Sequence, residues 1–153
     1  FGLQPPTTAI EAEANYLTWL VRTRLIGLCD LADSLADITI DYAIHSGHQA
    51  AIRALQRSLG LTVDGVYGPE TQRAVDMSNR RHIAQQVIGQ RARHLGRLIT
   101  DAPMRAQWAA GWLNRLAEQI ETPDWRPPIR SLRSTRSRPT IRRVRTIPAA
   151  ETT

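Results

Sequence analysis

Apolar residues recur three or four positions apart through most of the first 121 residues, and this spacing constrains the fold more than any other feature. The first such series is Ile10, Ala14, Leu17, Val21, Leu25 and Leu28. A repeat close to 3.6 residues predicts amphipathic helices. Comparable series return at intervals as far as Ile120. The sequence therefore predicts an all-α fold.

Local start and stop signals divide this pattern into separate helices. Thr8 followed by Glu11 is a capping box, in which each side chain bonds a free amide at the helix start. Gly60 is suited to ending a helix, and Pro69 to the first position of the next one. The predicted helices cover residues 9–28, 30–45, 48–59, a segment from 69, 80–100 and 103–121.

Positive charge is concentrated at one end of the chain. All 20 basic residues are Arg. Residues 1–125 hold 12 Arg against 13 acidic residues, whereas residues 126–153 hold 8 Arg against Glu151 alone. The second segment is rich in Ser, Thr, Pro and Arg, a composition that predicts an extended tail. The sequence pI of 10.9 therefore describes this tail, and does not indicate that the whole chain binds nucleic acid.

Three kinds of partner suit such a tail. They are an anionic envelope polymer (lipopolysaccharide or teichoic acid), a virion protein, and a nucleic acid. Nucleic acid is disfavoured, because no aromatic residue beyond Trp125 lies among the arginines to stack on bases. The alternative is a solvated tail without a partner.

The remaining composition points to no membrane or disulfide chemistry. No apolar run approaches the roughly 18 residues of a membrane span, and the start shows no signal-peptide pattern. Because residue 1 is Phe, we expect a fragment or a processed product. Cys29 is the only cysteine, and we interpret it as a core or boundary residue and not as a nucleophile.

The segment from Ala51 to Val75 carries one family resemblance. It has a helix with Leu-Gln, a turn with Asp-Gly and Gly-Pro, a Thr, and a helix with Ala-Val. This order is similar to the peptidoglycan-binding repeat. The resemblance implies peptidoglycan as the partner, bound by Gln56, Asp64, Gly65, Tyr67, Gly68 and Thr71.

Three further segments resemble a family of wall-degrading enzymes. They are Asp-Tyr-Ala-Ile-His-Ser-Gly at 41–47, Gly-Trp-Leu-Asn-Arg at 111–115, and Phe-Gly-Leu at 1–3. They are similar to segments of glycoside hydrolase family 108, N-acetylmuramidases of phages and bacteria with a C-terminal peptidoglycan-binding domain. The resemblance implies a partial lysozyme-like portion (1–47), a small helical peptidoglycan-binding domain (48–121) and the Pro- and Arg-rich tail (122–153).

The same resemblance bears on activity. The family's catalytic Glu lies in a Glu-Gly-Gly-Tyr signature that this sequence lacks, and His45 stands where the family has Asn. We therefore expect a peptidoglycan hydrolase of the muramidase or endolysin type, or its wall-binding part. The alternative is a catalytically inactive peptidoglycan-binding or structural module, such as a virion component. We expect synthesis in the host cytoplasm and action at the cell wall.

A polar stripe on the second predicted helix supplies candidate cleft residues. Ser34, Asp37, Asp41 and His45 recur at helical spacing. A muramidase needs a carboxylic acid with a raised pKa and a second carboxylate, so Asp37, Asp41, His45 and Ser46 are candidates. The alternative is a solvated face, or Asp41 bonding the following turn. The catalytic acid itself stays unassigned.

Two other pairs have simple interpretations. His45 and His48 are too few to bind zinc, and we expect neither a metal nor a cofactor. Trp108 and Trp112 share a helix face, where they either form a platform for sugar rings or pack against the helix at 80–100. We favour packing.

Overall fold

The computed structural model describes residues 5–31 and 33–121. Within these ranges the chain forms helices and no strand, which confirms the all-α prediction. A 3₁₀ helix covers Pro103–Trp108. The α-helices are α1 (Ala9–Arg22), α2 (Ile26–Cys29), α3 (Ser34–Ser46), α4 (His48–Leu59), α5 (Pro69–Met77), α6 (Arg80–Asp101) and α7 (Ala109–Glu121).

The start of α1 follows the predicted capping box in part. The Thr8 hydroxyl accepts from the Glu11 backbone N–H at 3.2 Å. The Glu11 carboxylate accepts from the backbone N–H of Thr7 at 2.7 Å, and hydrogen bonds from Thr7 and, more weakly, from the Thr8 backbone lower the pKa of Glu11. Two amides at the helix start are satisfied in this way.

The prediction of a single helix at 9–28 is wrong, because α1 ends at Arg22 and a turn separates it from α2. The Thr23 hydroxyl bonds back to the Trp19 carbonyl at 2.8 Å, and Arg24 adopts a left-handed conformation with φ 61°. The turn leads into α2 and buries Leu25 and Leu28 completely. The apolar series predicted for the first helix is not the buried face of α1, because Ile10, Leu17 and Val21 are exposed and α1 packs on the core through Leu20 instead.

Helix α3 is shifted from its predicted range of 30–45 and is the central helix of the fold. Asp33 caps it by accepting from the Ala36 N–H at 3.1 Å, and Gly47 separates it from α4 with φ 89°. Every residue from Leu35 to Ala43 is buried. A solvated polar face is therefore wrong for Asp37 and Asp41, because both lie inside the bundle.

The later helices begin and end close to the predicted positions. Gly60 ends α4 with φ 72°, and the Leu61 N–H bonds the Gln56 carbonyl at 3.0 Å. Pro69 is the first residue of α5, as predicted. The helix predicted at 103–121 is α-helical only from Ala109.

One hydrophobic cluster joins the helices. It extends from Leu20 to Leu116, and Cys29 and Trp112 pack partly against it. The helices α4 and α6 both pack on α3, and α7 packs on α6. The proposed limit at 47 is not marked by a break in this core, the limit at 121 coincides with the end of the described residues, and both stay predictions. None of the described helices is both long and apolar enough to cross a membrane.

Candidate functional site

The predicted peptidoglycan-binding residues surround the loop between α4 and α5. Gln56 lies beneath this loop with 2% of its surface exposed. Its side-chain amide donates to Asp64 Oδ1 at 2.7 Å, to the Val66 carbonyl at 3.1 Å and towards Thr71 Oγ1 at 3.3 Å. Its carbonyl oxygen accepts from the Gly65 N–H at 2.9 Å. One buried side chain thus fixes most of the loop.

Asp64 and Gly65 shape the turn itself. Asp64 Oδ1 accepts from the Val66 N–H at 2.8 Å. Hydrogen bonds from that N–H and from Gln56 lower the pKa of Asp64 below its usual value. Gly65 has φ 81°, a backbone conformation that residues other than glycine rarely adopt. Tyr67 is buried, and its hydroxyl donates to Gln72 Oε1 at 2.9 Å.

These contacts explain why the repeat has these residue types: the motif residues hold the loop in its conformation. Gln56, Tyr67 and Thr71 are buried, and Gly68 lies at the N-cap of α5. Asp64 is exposed beside them. Which of the six residues touches peptidoglycan stays a prediction, and the loop presents Val63 and Val66 to solvent.

Asp41 is the centre of a polar network that connects three helices. Arg91 on α6 donates to its Oδ2 at 2.6 Å. Arg115 on α7 donates from Nε at 2.9 Å to both oxygens and from Nη2 to Oδ1. The Gln119 amide adds a bond to Oδ2 at 2.9 Å. This is the environment of an ion-paired structural carboxylate.

The network sets the protonation state of the candidate carboxylate. Burial raises the pKa of Asp41, but hydrogen bonds from Arg115 and Arg91 and their charges outweigh it, so the pKa is lowered. A general acid at neutral pH needs the opposite shift. Asp41 is therefore poorly suited to protonate a glycosidic oxygen.

The other three cleft candidates differ in position. Asp37 is buried on α3, and Ser46 is half-buried at the end of that helix. His45 Nε2 lies 3.4 Å from Asp41 Oδ1 with nearly half of its side chain exposed. Partial burial and then the charges of Arg115 and Arg91 lower the pKa of His45, although Asp41 opposes them. The imidazole is thus neutral at pH 7.

A second polar feature, which the sequence did not reveal, is a groove between α3, α4 and α6. Its volume is about 190 Å³. We name it the Arg groove; its polar and aromatic lining is Tyr42, Arg53, Arg57, Gln90, His94 and Arg97. The half-buried ring of His94 lies 5.8 Å from that of Tyr42. Spacings of three and four residues on α4 and α6 were the available signal.

The two tryptophans lie at the surface near the start of α7. Their ring centroids are 6.4 Å apart with a 39° tilt. Core packing is confirmed for Trp112, which is half-buried against the core. It is wrong for Trp108, which is 53% exposed because the chain there is a 3₁₀ helix and not the first turn of α7.

Two predictions concern metals and the tail. Among the described residues, no group of three or more His, Cys, Asp or Glu side chains is placed to hold a metal ion. The Arg-rich segment 126–153 lies outside the described residues. Its extended structure and its binding to an envelope polymer or a virion protein stay predictions.

Comparison with known proteins covers the loop between α4 and α5 and all of the named groove residues except Tyr42. A search of the curated proteins gave no match. A family model described as "Predicted Peptidoglycan domain" matches residues 50–117, which run from α4 into α7. This match supports a peptidoglycan-related protein that binds at the cell wall.

Proposed function

We propose that the chain is the wall-binding part of a muramidase-type peptidoglycan hydrolase. The observation that carries the proposal is the match of residues 50–117 to a peptidoglycan domain. The resemblance to glycoside hydrolase family 108 adds the enzyme class. Two of its segments, 41–47 and 111–115, are far apart in sequence, yet Asp41 and Arg115 form an ion pair. A shared packing role for these segments is consistent with the resemblance.

The proposal assigns binding, and not bond cleavage, to the described residues. Asp41 stays ionised in its network, and Asp37 is enclosed in the bundle. Glycoside hydrolysis requires an accessible carboxylic acid with a raised pKa, whereas the pKa of Asp41 is lowered and Asp37 is not accessible.

Sedimentation with insoluble peptidoglycan tests the proposal. We expect the full chain to sediment with purified peptidoglycan and not with cellulose. Salt of about 0.5 M screens exposed charges and so suppresses attraction through residues 126–153. If the chain stays in the supernatant at this salt concentration and also at about 0.15 M, the wall-binding proposal is wrong.

A turbidity assay on permeabilised Gram-negative cells tests the division between binding and cleavage. We expect no lysis by this chain. Lysis that is lost in Asp37→Asn or Asp41→Asn would instead identify one of these carboxylates as catalytic and overturn the assignment.

A further inference from the structure

The Arg groove is cationic and contains no acidic side chain. Arg53 and Arg57 lie one turn apart on α4, and Arg97 faces them from α6. Within the described part of the chain, ion pairs engage Arg80, Arg91 and Arg115 but none of these three. Asp64 on the neighbouring loop interacts electrostatically with Arg53, but three guanidinium groups around one depression still leave a net positive potential among the described residues.

The positive potential affects the pKa values of the two aromatic residues in the groove, His94 and Tyr42. Burial lowers the pKa of His94, and the charges of Arg97 and Arg91 lower it further. The imidazole is therefore neutral and can accept or donate one hydrogen bond. Burial raises the pKa of Tyr42, and Arg91, Arg97 and Arg57 oppose that rise. The cationic groups thus act on both rings of the groove.

The loop of the peptidoglycan repeat borders this groove. A Cβ atom added to Gly65 would lie 3.0 Å from Nε and 3.4 Å from Cζ of Arg53. The Gly65 backbone therefore packs directly on the Arg53 side chain. Gln56 fixes Gly65 through the bond to its N–H, so the loop restricts where the Arg53 guanidinium can lie.

The size of the groove limits what it can accept. Sites for whole small molecules usually measure about 300–1,000 Å³, and this groove measures about 190 Å³. A disaccharide does not fit inside it, but a short side chain or chain end does. Guanidinium groups pair with planar carboxylates through two parallel hydrogen bonds, and Gln90 offers an additional amide donor.

We propose that the Arg groove binds a carboxylate of the peptidoglycan stem peptide, while the glycan stays outside it. This inference rests on the proposed wall-binding function. Where a stem peptide is attached, the lactyl carboxyl group of the glycan is consumed in the amide bond, so the free carboxylates lie on the peptide, at side chains and at the chain end. Under this proposal, the groove gives the protein specificity for the peptide part of peptidoglycan.

Calorimetry with soluble wall fragments tests the proposal on the full chain. The probes are a disaccharide-peptide with free carboxylates, the same fragment with its carboxylates amidated, the disaccharide without a peptide and with its lactyl carboxyl group amidated, and inorganic phosphate. We expect binding of the first and at least about tenfold weaker binding of the amidated fragment and the disaccharide, since charge-assisted hydrogen bonds are lost. Equal binding of the amidated fragment, or equally tight binding of phosphate, overturns the stem-peptide assignment.

Matched variants separate the groove from general positive charge. Arg97→Gln should weaken binding of the free-carboxylate fragment about tenfold or more. Arg93→Gln, an exposed arginine on the same helix, should change it less than about twofold because only long-range charge is removed. Arg97→Lys keeps the charge without the guanidinium fork and should give an intermediate affinity. Circular dichroism confirms that each variant is folded.

Failure of the groove and failure of the wall-binding function give different results. If the wild-type chain sediments with insoluble peptidoglycan but Arg97→Gln and Arg93→Gln bind the fragment alike, the groove assignment is wrong and wall binding stands. If the wild-type chain binds neither the fragment nor insoluble peptidoglycan, the proposed function itself is wrong.

Discussion

At the scale of single residues, Asp41 is the buried carboxylate that forms ion pairs with both Arg91 and Arg115. Replacing it with alanine leaves Arg91 buried, with 3% of its side chain exposed, and without its counter-charge. Removing one partner of a buried ion pair typically costs about 3–5 kcal/mol. We expect Asp41→Ala to lower the free energy of unfolding by that amount in urea denaturation. Asp101→Ala, at the exposed end of α6, should change it by less than about 0.5 kcal/mol.

The same residue makes stability depend on acid. The pKa of Asp41 in the folded protein lies below its ordinary value of 3.8, so the unfolded chain takes up the proton first on acidification. The stabilisation by Asp41 is complete well above 3.8 and is lost as pH falls through the folded-state pKa. We expect the difference in melting temperature between wild type and Asp41→Asn to shrink from about pH 7 to about pH 3. A constant difference would contradict this origin of the stability.

At the scale of elements, Gln56 joins α4 to the loop that leads into α5. Leucine at this position has a similar volume but leaves the buried Gly65 N–H without its acceptor. Because an unsatisfied buried polar group costs about 1–3 kcal/mol, we expect Gln56→Leu to lower the free energy of unfolding by about that amount or more. It should also speed amide exchange at Gly65 and Val66. Gln49→Leu, on the exposed side of the same helix, is the control; equal effects would show that the hydrogen bonds do not matter.

Elements with local signals could be predicted from the sequence, and those that depend on distant partners could not. The glycine after α4 and the proline that begins α5 mark these ends whatever the surrounding fold. The break after α1 falls at Arg24, which is an unusual residue for a left-handed conformation. The burial of Asp41 depends on Arg91 and Arg115, which are 50 and 74 residues further along the chain. No periodic pattern within α3 contains that information.

The candidate site shows the same division. Gln56, Asp64 and Thr71, which the repeat pattern grouped as peptidoglycan-binding residues, contact one another in the structure, whereas their contact with peptidoglycan stays a prediction. Their buried contacts could not be inferred from the motif, since a loop residue is equally compatible with solvent. The Arg groove was missed because its members come from three helices, and their convergence is set by the packing of α4 and α6 on α3.

At the scale of the whole molecule, α3 connects the family-matched segment to the rest of the chain. The match begins at residue 50, but α3 precedes it and packs against both α4 and α6. It also provides Asp41 for the polar network and Tyr42 for the Arg groove. The limits of the sequence match and the limits of the packed body are therefore different.

This packing predicts that residues 48–121 do not form a stable unit alone. Without α3, the apolar surfaces of α4 and α6 that carry Leu55 and Val87, both fully buried here, would become exposed. Arg91 would also lose its counter-charge. We expect this fragment to unfold without a cooperative transition and to be degraded in limited proteolysis, whereas residues 5–121 melt in one step. A cooperative transition of the 48–121 fragment at a temperature close to that of residues 5–121 would show that α3 is dispensable, and would support a domain boundary at residue 47.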